Sequence, residues 1–409
     1  MRSPAVATLI ERTKLVTLIG AGHLYSHFCN LVLPPLFLAL RAEFEVNFVT
    51  LGIAVAAANV ASGISQIPFG VMVDRVGGRV TLLIGLLMIG AGFILMGFAD
   101  AFWQIIALSA VVGAGNGVFH PADYSILSAR VDERFMGRAV SIHGFTGYAG
   151  WFVAPGTMLA LDAWFGWRGA LAAAGAAGLV IAAFVVWQGA SLTEDTGSRQ
   201  APRDRLAFAE SLRRSLALVR SRPMLMMFAF YFITSFTTAA LMSFAIVAFG
   251  EIHGASLEDG GKILTAFFGA MAIGVLLGGV IADRTDRHGL VTATAICGCA
   301  ATILLTAFSA VPLVVVAISI ALGGMLYGIT TPSRDLLVRA ATPPGLIGIA
   351  FGFTSTGLGV GGAIGPVVCG WVMDAGRPDW MIVLIAAVTV IAVFTVFMGR
   401  PGDQRRDGA

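Results

Sequence analysis

Between Leu15 and Met398 the chain alternates long, almost uncharged apolar runs with short charged loops, and that alternation leaves few folds open. A helix needs about 20 apolar residues to cross the hydrocarbon of a bilayer. Runs of that kind fall at Leu15–Leu40, Phe48–Val73, Val80–Phe98, Phe102–Ile126, Ala139–Leu161 and Ala170–Trp187. A second set falls at Leu225–Phe249, Ile263–Ile281, Val291–Ala310, Val311–Pro332, Ile347–Val372 and Trp380–Met398, with the ninth-to-tenth turn at Ser309–Pro312. Inside lipid every backbone polar group must be satisfied within the protein, so runs of this length predict helices. Charged residues make up 12% of the chain, against about 25% in a typical soluble domain. The expected fold is an all-α membrane protein of twelve transmembrane helices.

Basic residues set an expected orientation. With the N-terminus inside, 22 of the 26 Lys and Arg fall on the cytoplasmic side, and Arg41, Arg168, Lys262 and Arg377 are the other 4. This asymmetry is the positive-inside rule, and it puts both termini in the cytoplasm. Met1–Lys14 is a short basic lead, and the apolar run after it is too long for a cleavable signal peptide. Gly189–Arg222 is the one charged linker, with Leu206, Ala209, Leu212, Leu216 and Val219 at helical spacing. That pattern fits an amphipathic helix at the cytoplasmic lipid surface, with a partner-binding helix as the alternative. Residues 1–188 and 223–409 are thereby read as two six-helix bundles joined by the 189–222 linker.

The two bundles repeat each other. At a shift of 209, Gly70, Asp74 and Arg75 fall on Gly279, Asp283 and Arg284. At 211, Pro121-Ala122-Asp123 falls on Pro332-Ser333-Arg334, Gly137 and Ala139 on Gly348 and Ala350, and Pro155 on Pro366. A parallel six-plus-six repeat about an axis along the membrane normal is the arrangement of major facilitator transporters.

Individual motifs carry the same resemblance. Gly70-Val-Met-Val-Asp74-Arg75-Val-Gly77-Gly78-Arg79 resembles the major facilitator loop signature G-x-x-x-D-R-x-G-R-R/K, departing from it at Gly78, and Asp283–Arg287 echoes it. Gly113-Ala-Gly115-Asn116-Gly117-Val-Phe119-His120-Pro121 is similar to the G-x-G-x-x-x-F-H-P run of the fosmidomycin-resistance efflux branch. So are Gly22-His23-Leu24, Leu40-Arg41-Ala42-Glu43-Phe44 and Gly345-Leu346-Ile347-Gly348. The resemblance implies secondary active transport by alternating access: proton-driven export of a small drug-like or anionic compound by a monomer of the bacterial-type inner membrane. Uptake of an organic anion or nutrient by symport is the alternative, and a membrane receptor or scaffold a minor one. Gly144, Gly147, Gly150 and Ala154-Pro155-Gly156 approximate the antiporter glycine ladder of span five, with a closer copy at Gly357–Pro366. Packing of helices on small residues explains both equally well.

Asp123 is the one carboxylate inside a predicted span, and Asp335 lies just past the predicted end of span ten. A charge in the bilayer centre costs roughly 2.5–3.5 kcal/mol on insertion scales. Histidine titrates near neutrality, and His23, His27, His120 and His143 all fall in first-half spans. Proton coupling is expected of His27, Asp123 and His120. By the resemblance, spans one, four, seven and ten line a substrate cavity, which would present His27, Asn30, Asn116, Tyr231, Thr234, Thr238 and Tyr327. Interhelical hydrogen bonding is the alternative role for these residues. Asp123 and Arg334, superposed by the repeat with opposite charge, are expected as a cytoplasmic gate with the loop residues Gly70, Asp74, Arg75, Gly77, Arg79, Asp283 and Arg284. Local pairs of Asp123 with Arg130 and of Arg334 with Asp335 are the alternative.

Other classes find no support. A net charge of +3 is too small to imply nucleic acid. Cys297-Gly298-Cys299 cannot chelate from a helix, because i and i+2 side chains diverge. No Gly-rich phosphate loop, ligand-spaced His/Cys cluster or Ser-His-Asp pattern is present in the sequence, so neither an enzyme nor an ATP-driven pump is expected. The expected associations are a small-molecule substrate, the lipid bilayer and a proton, with no cofactor and no metal.

Overall fold

The computed structural model describes residues 4–131, 133–188, 213, 217–343 and 346–398, and those residues form helices and connecting turns with no strand among them. In chain order the helices are α1 (Pro4–Cys29), a 3-10 turn (Pro34–Leu36), α2 (Phe37–Phe44), α3 (Phe48–Val76), α4 (Gly78–Met96), α5 (Phe102–Asn116), α6 (Phe119–Arg130) and α7 (Glu133–Trp187). They continue with α8 (Arg222–His253), α9 (Leu257–Ala282), α10 (His288–Leu305), α11 (Leu313–Ala340), α12 (Ile347–Asp374) and α13 (Pro378–Met398). Eleven apolar helical runs are long enough to cross a membrane. The longest, Ile142–Trp187, has 46 residues and would measure about 69 Å if straight, more than twice a hydrocarbon core. It is broken at Gly166 (φ 68, ψ 170), and so holds the expected fifth and sixth crossings. The amphipathic linker helix falls almost wholly outside the described residues.

Three predicted spans are built differently from the sequence reading. Span one is interrupted: α1 ends at Cys29, and Pro34 and Pro35 open a 3-10 turn before α2. Pro34 and Pro35 carry no N–H, so the backbone bonds that would continue α1 through them cannot form, while Leu33 itself stays in the right-handed region. Span four divides into α5 and α6 at Gly117–Val118. Pro121 lacks the N–H that would bond Gly117 O, and Val118 N instead closes a short turn on Gly115 O at 3.4 Å. Span ten, expected to stop at Pro332, runs through it to Ala340, so Arg334 and Asp335 lie within α11. Ending the helix at Pro332 would free more backbone groups than the one bond the proline removes. The preceding turn falls as expected, with α10 ending at Leu305 and Pro312 at the N-cap of α11.

Special backbone positions match special residues. Gly77 of the loop motif takes φ 85 between α3 and α4, a region costly for any side chain. Asn47 caps α3, its Oδ1 accepting from Thr50 N at 2.9 Å. Arg168 donates to Glu43 Oε1 at 2.9 Å and to Ala99 O at 3.0 Å, joining α7 to α2 and to the turn after α4.

The chain divides into two compact units, Met1–Gln200 with Leu257–Thr265, and Ala201–Ser256 with Ala266–Ala409. Within the first, a Cβ on Gly113 would strike the carbonyl of Ala58, and one on Gly117 that of Ser62. Within the second, Gly324 meets Phe267 O and Gly328 meets Met271 O in the same way. The glycines are related by a shift of 211 and their partners by 209, the two shifts found in the sequence repeat. Gly150 against Leu24 O and Gly361 against Phe232 O form a further matched pair. Each unit is therefore closed by the same backbone-on-backbone seams, in which glycine lets two helices approach as lipid-embedded helices do. Away from the seams, apolar side chains such as Ile67 (77% exposed) and Val314 (70%) face outward, as a lipid-facing surface requires.

Candidate functional site

Where α1, α6 and α7 meet in the first unit, four histidines and one aspartate converge. His23 and His27 come from the last two turns of α1, His120 and Asp123 from the first turns of α6, and His143 from α7. The break between α5 and α6 sets the start of α6, and with it His120 and Asp123, at the cluster. Glycine makes the room on the other side. A Cβ on Gly147 would stand 2.9 Å from both His23 Nε2 and His27 Cε1, and one on Gly150 3.0 Å from His27 Cβ. The glycine ladder of span five is thus the wall against which the α1 histidines lie.

Asp123 is fully buried, and His23 and His143 are 3% exposed. His27 is half-buried and His120 exposed. His143 Nε2 is 3.0 Å from Asp123 Oδ2; against a carboxylate, which can only accept, the imidazole donates. His23 Nδ1 stands 3.7 Å from the same oxygen. The His23 ring stacks on His143 with centroids 3.7 Å apart and planes at 22°. It also touches His27 at 4.5 Å and His120 at 5.4 Å. His27 rests on Trp151, and Tyr124 lies beside both His120 and His143. His23 Nδ1 and Asp123 Oδ1 are buried without a hydrogen-bond partner among the described residues. Such orphaned atoms cost about 1–3 kcal/mol each and mark sites that serve something besides stability.

The nitrogens of His23 and His143 and an oxygen of Asp123 lie within 4.8 Å of one another, a grouping that sequence spacing did not reveal. Metal ligands must aim their in-plane lone pairs at one point. In the His23–His143 stack the ring planes are nearly parallel, so the lone pairs run side by side instead. A donor–acceptor set sharing a proton suits this geometry better than a metal ion does.

A separate polar ladder joins the end of α1 to the end of α5. Ser26 Oγ donates to Asn116 Oδ1, and Asn116 Nδ2 donates to Asn30 Oδ1 at 3.1 Å. The expected cavity residues of the second unit bond within that unit. Thr234 and Thr238 bond backbone carbonyls of their own helix, α8, and Tyr327 Oη donates to Thr234 O at 3.2 Å. Tyr231 Oη donates to Asp335 Oδ1 at 2.8 Å, and the Arg334 guanidinium lies 4.3 Å over the Tyr231 ring. Arg334 Nε bonds Asp335 at 2.9 Å. Asp123 and Arg334, expected as a gate pair, each hold partners within their own unit. Arg79 of the loop motif donates to Val186 O at 3.2 Å.

His23 and His143 are site residues that the sequence reading counted among the span histidines but did not assign. The signal was the spacing of His23 and His27, four residues apart on one face of a helix; the approach of His143 depends on tertiary packing.

Comparison with known proteins agrees with this architecture. The chain is 26% identical to the fosmidomycin resistance protein of Escherichia coli K12, over 99% of this chain and 98% of that one. It is 23% identical to the D-galactonate transporter of Escherichia coli O6:H1, over 90% of each. Its fold superposes with a TM-score of 0.77 on a bacterial homologue of the human lysosomal transporter Spinster in an inward-facing, occupied conformation, at 14% identity over 95% of this chain and 96% of that one. The family model described as the Major Facilitator Superfamily matches residues 19–260 and 227–409. Two repeated helical units, twelve crossings and full-length relatives that are named as transporters agree: this chain is a multi-pass membrane transporter of small solutes and belongs to the Major Facilitator Superfamily.

Proposed function

We propose that the protein is a proton-coupled exporter of a small, drug-like or anionic organic compound, working as an antiporter in a bacterial-type cytoplasmic membrane. The observation that carries the coupling is the cluster itself: a buried carboxylate bonded to one imidazole, with a second imidazole beside it and two more against that second ring, at the meeting of three helices of one unit. Ionisable groups inside a membrane protein are costly, and they tend to mark ion or substrate pathways. The full-length similarity to a fosmidomycin resistance protein supports export.

The test uses inside-out membrane vesicles containing the full chain, with radiolabelled fosmidomycin as probe. An acid-inside pH gradient should drive the label into the vesicles, and a protonophore should release it. A second reading, proton-coupled uptake of an organic anion, is favoured by the similarity to a D-galactonate transporter. Accumulation of labelled galactonate in right-side-out vesicles under an acid-outside gradient, with no fosmidomycin movement in the first assay, would establish uptake instead.

A further inference from the structure

The cluster has a composition that limits what it can store. Three members are buried: His23, His143 and Asp123. His27, half-buried, lies against His23 from the same helix, and exposed His120 lies against it from α6. Tyr124 of α6 also lies beside the stack, against His143. Among the described residues the second unit has no equivalent: the repeat sets Arg334, a fixed cation beside Asp335, where the first has Asp123.

We infer that His23, His143 and Asp123 together form a single-proton store, with His23 as the ring that shares the proton between the Asp123–His143 pair and the flanking His27 and His120. This rests on the proton-coupled reading above and adds a capacity to it. With Asp123 ionised and both buried imidazoles neutral, the trio carries one negative charge. One added proton gives an imidazolium beside a carboxylate and no net charge. A second proton would set two imidazoliums face to face with centroids 3.7 Å apart and a single carboxylate beside them. Repulsion at that distance weakens the second proton by on the order of a thousandfold at an effective dielectric of about 20. The shared oxygen, Asp123 Oδ2, faces His143 Nε2 at 3.0 Å and His23 Nδ1 at 3.7 Å. Because His143 Nε2 already carries a hydrogen, the added proton enters at His143 Nδ1 or on His23, and in either case the carboxylate keeps the His143 N–H. Exposed His120 and half-buried His27, both against the His23 ring, give the store its access.

The test is an NMR titration of ¹³C-histidine in the purified full-length protein, prepared without a polyhistidine tag, with signals assigned by single His→Gln variants. Over the pH range in which the protein stays folded, the His23 and His143 signals should move together in one step amounting to one proton. In His23→Gln the His143 midpoint should move by about a factor of ten or more in proton affinity. Two separate steps for His23 and His143, or no step in that range, would overturn the single store. An unmoved His143 midpoint in His23→Gln would overturn the sharing. The measurement is of equilibrium proton binding, so it stands apart from the vesicle assay. A single step in a protein that moves no solute under a pH gradient would refute the coupling and leave the store intact.

Discussion

Asp123 shows how much a single buried group asks of its neighbours. Its carboxylate is fully buried and bonded to His143. Breaking a buried charge pair by removing one partner typically costs about 3–5 kcal/mol, whereas removing the charge itself leaves no orphan. His143→Ala should therefore lower the unfolding temperature more than Asp123→Asn does, and both should abolish pH-driven accumulation in vesicles. Comparing the two melting curves with the two transport assays checks this. Glycine at the wall of the cluster gives a second prediction. In Gly147→Ala the new methyl would press on the His23 and His27 rings at 2.9 Å, whereas Gly144 has nothing within 4 Å. Overpacking costs about 1–3 kcal/mol, so Gly147→Ala should destabilise the protein and impair transport. Gly144→Ala should leave transport intact and hold or slightly raise the melting temperature, since alanine is the better helix former by about 1 kcal/mol. The carboxylate and the run of first-half histidines were legible in the sequence, because ionisable residues in apolar runs are rare. The partners were not: neither the His23–His143 stack nor the identity of Asp123's acceptor role follows from positions 20 and 120 residues apart in the chain.

Helices were legible as elements wherever length and apolarity decide them, and illegible where a local backbone conflict does. Pro34, Pro121 and Pro332 have the same chemistry and three outcomes: a 3-10 turn, a break between α5 and α6, and an uninterrupted α11. What differs is how each freed carbonyl and each neighbouring helix is accommodated, which is tertiary information. The glycine seams, by contrast, follow from the repeat itself. Because Gly113 and Gly324 face backbone carbonyls of α3 and α9, no side chain can move aside to admit a larger residue. Gly113→Val and Gly324→Val should each prevent accumulation of folded protein, read by fluorescence-detected size-exclusion chromatography of a fused reporter. Gly63→Val and Gly279→Val, at positions with open space around the Cβ, should be tolerated.

The whole molecule inherits its proposed orientation from the 22-to-4 distribution of basic residues. In a variant with Cys29, Cys297, Cys299 and Cys369 replaced, a membrane-impermeant maleimide added to intact cells should label a cysteine at Ser256 and not one at Ser198. Labelling of both from outside would refute the topology. Replacing Cys297 matters most, because among the four cysteines it alone is exposed.

The matched seams also constrain how such a chain can change length. One residue inserted within a helix turns everything beyond it by about 100°, enough to carry a glycine off its seam and a bulky side chain onto it. Between the two halves the offset is 209 at α3 and 211 at α5, so the two residues that distinguish the copies were gained or lost between those helices' contact positions without disturbing either face. A change of length that keeps the seams must therefore fall in the stretches that join the helices. The interhelical seams act as a ruler, holding the two halves to one register where most of their side chains differ.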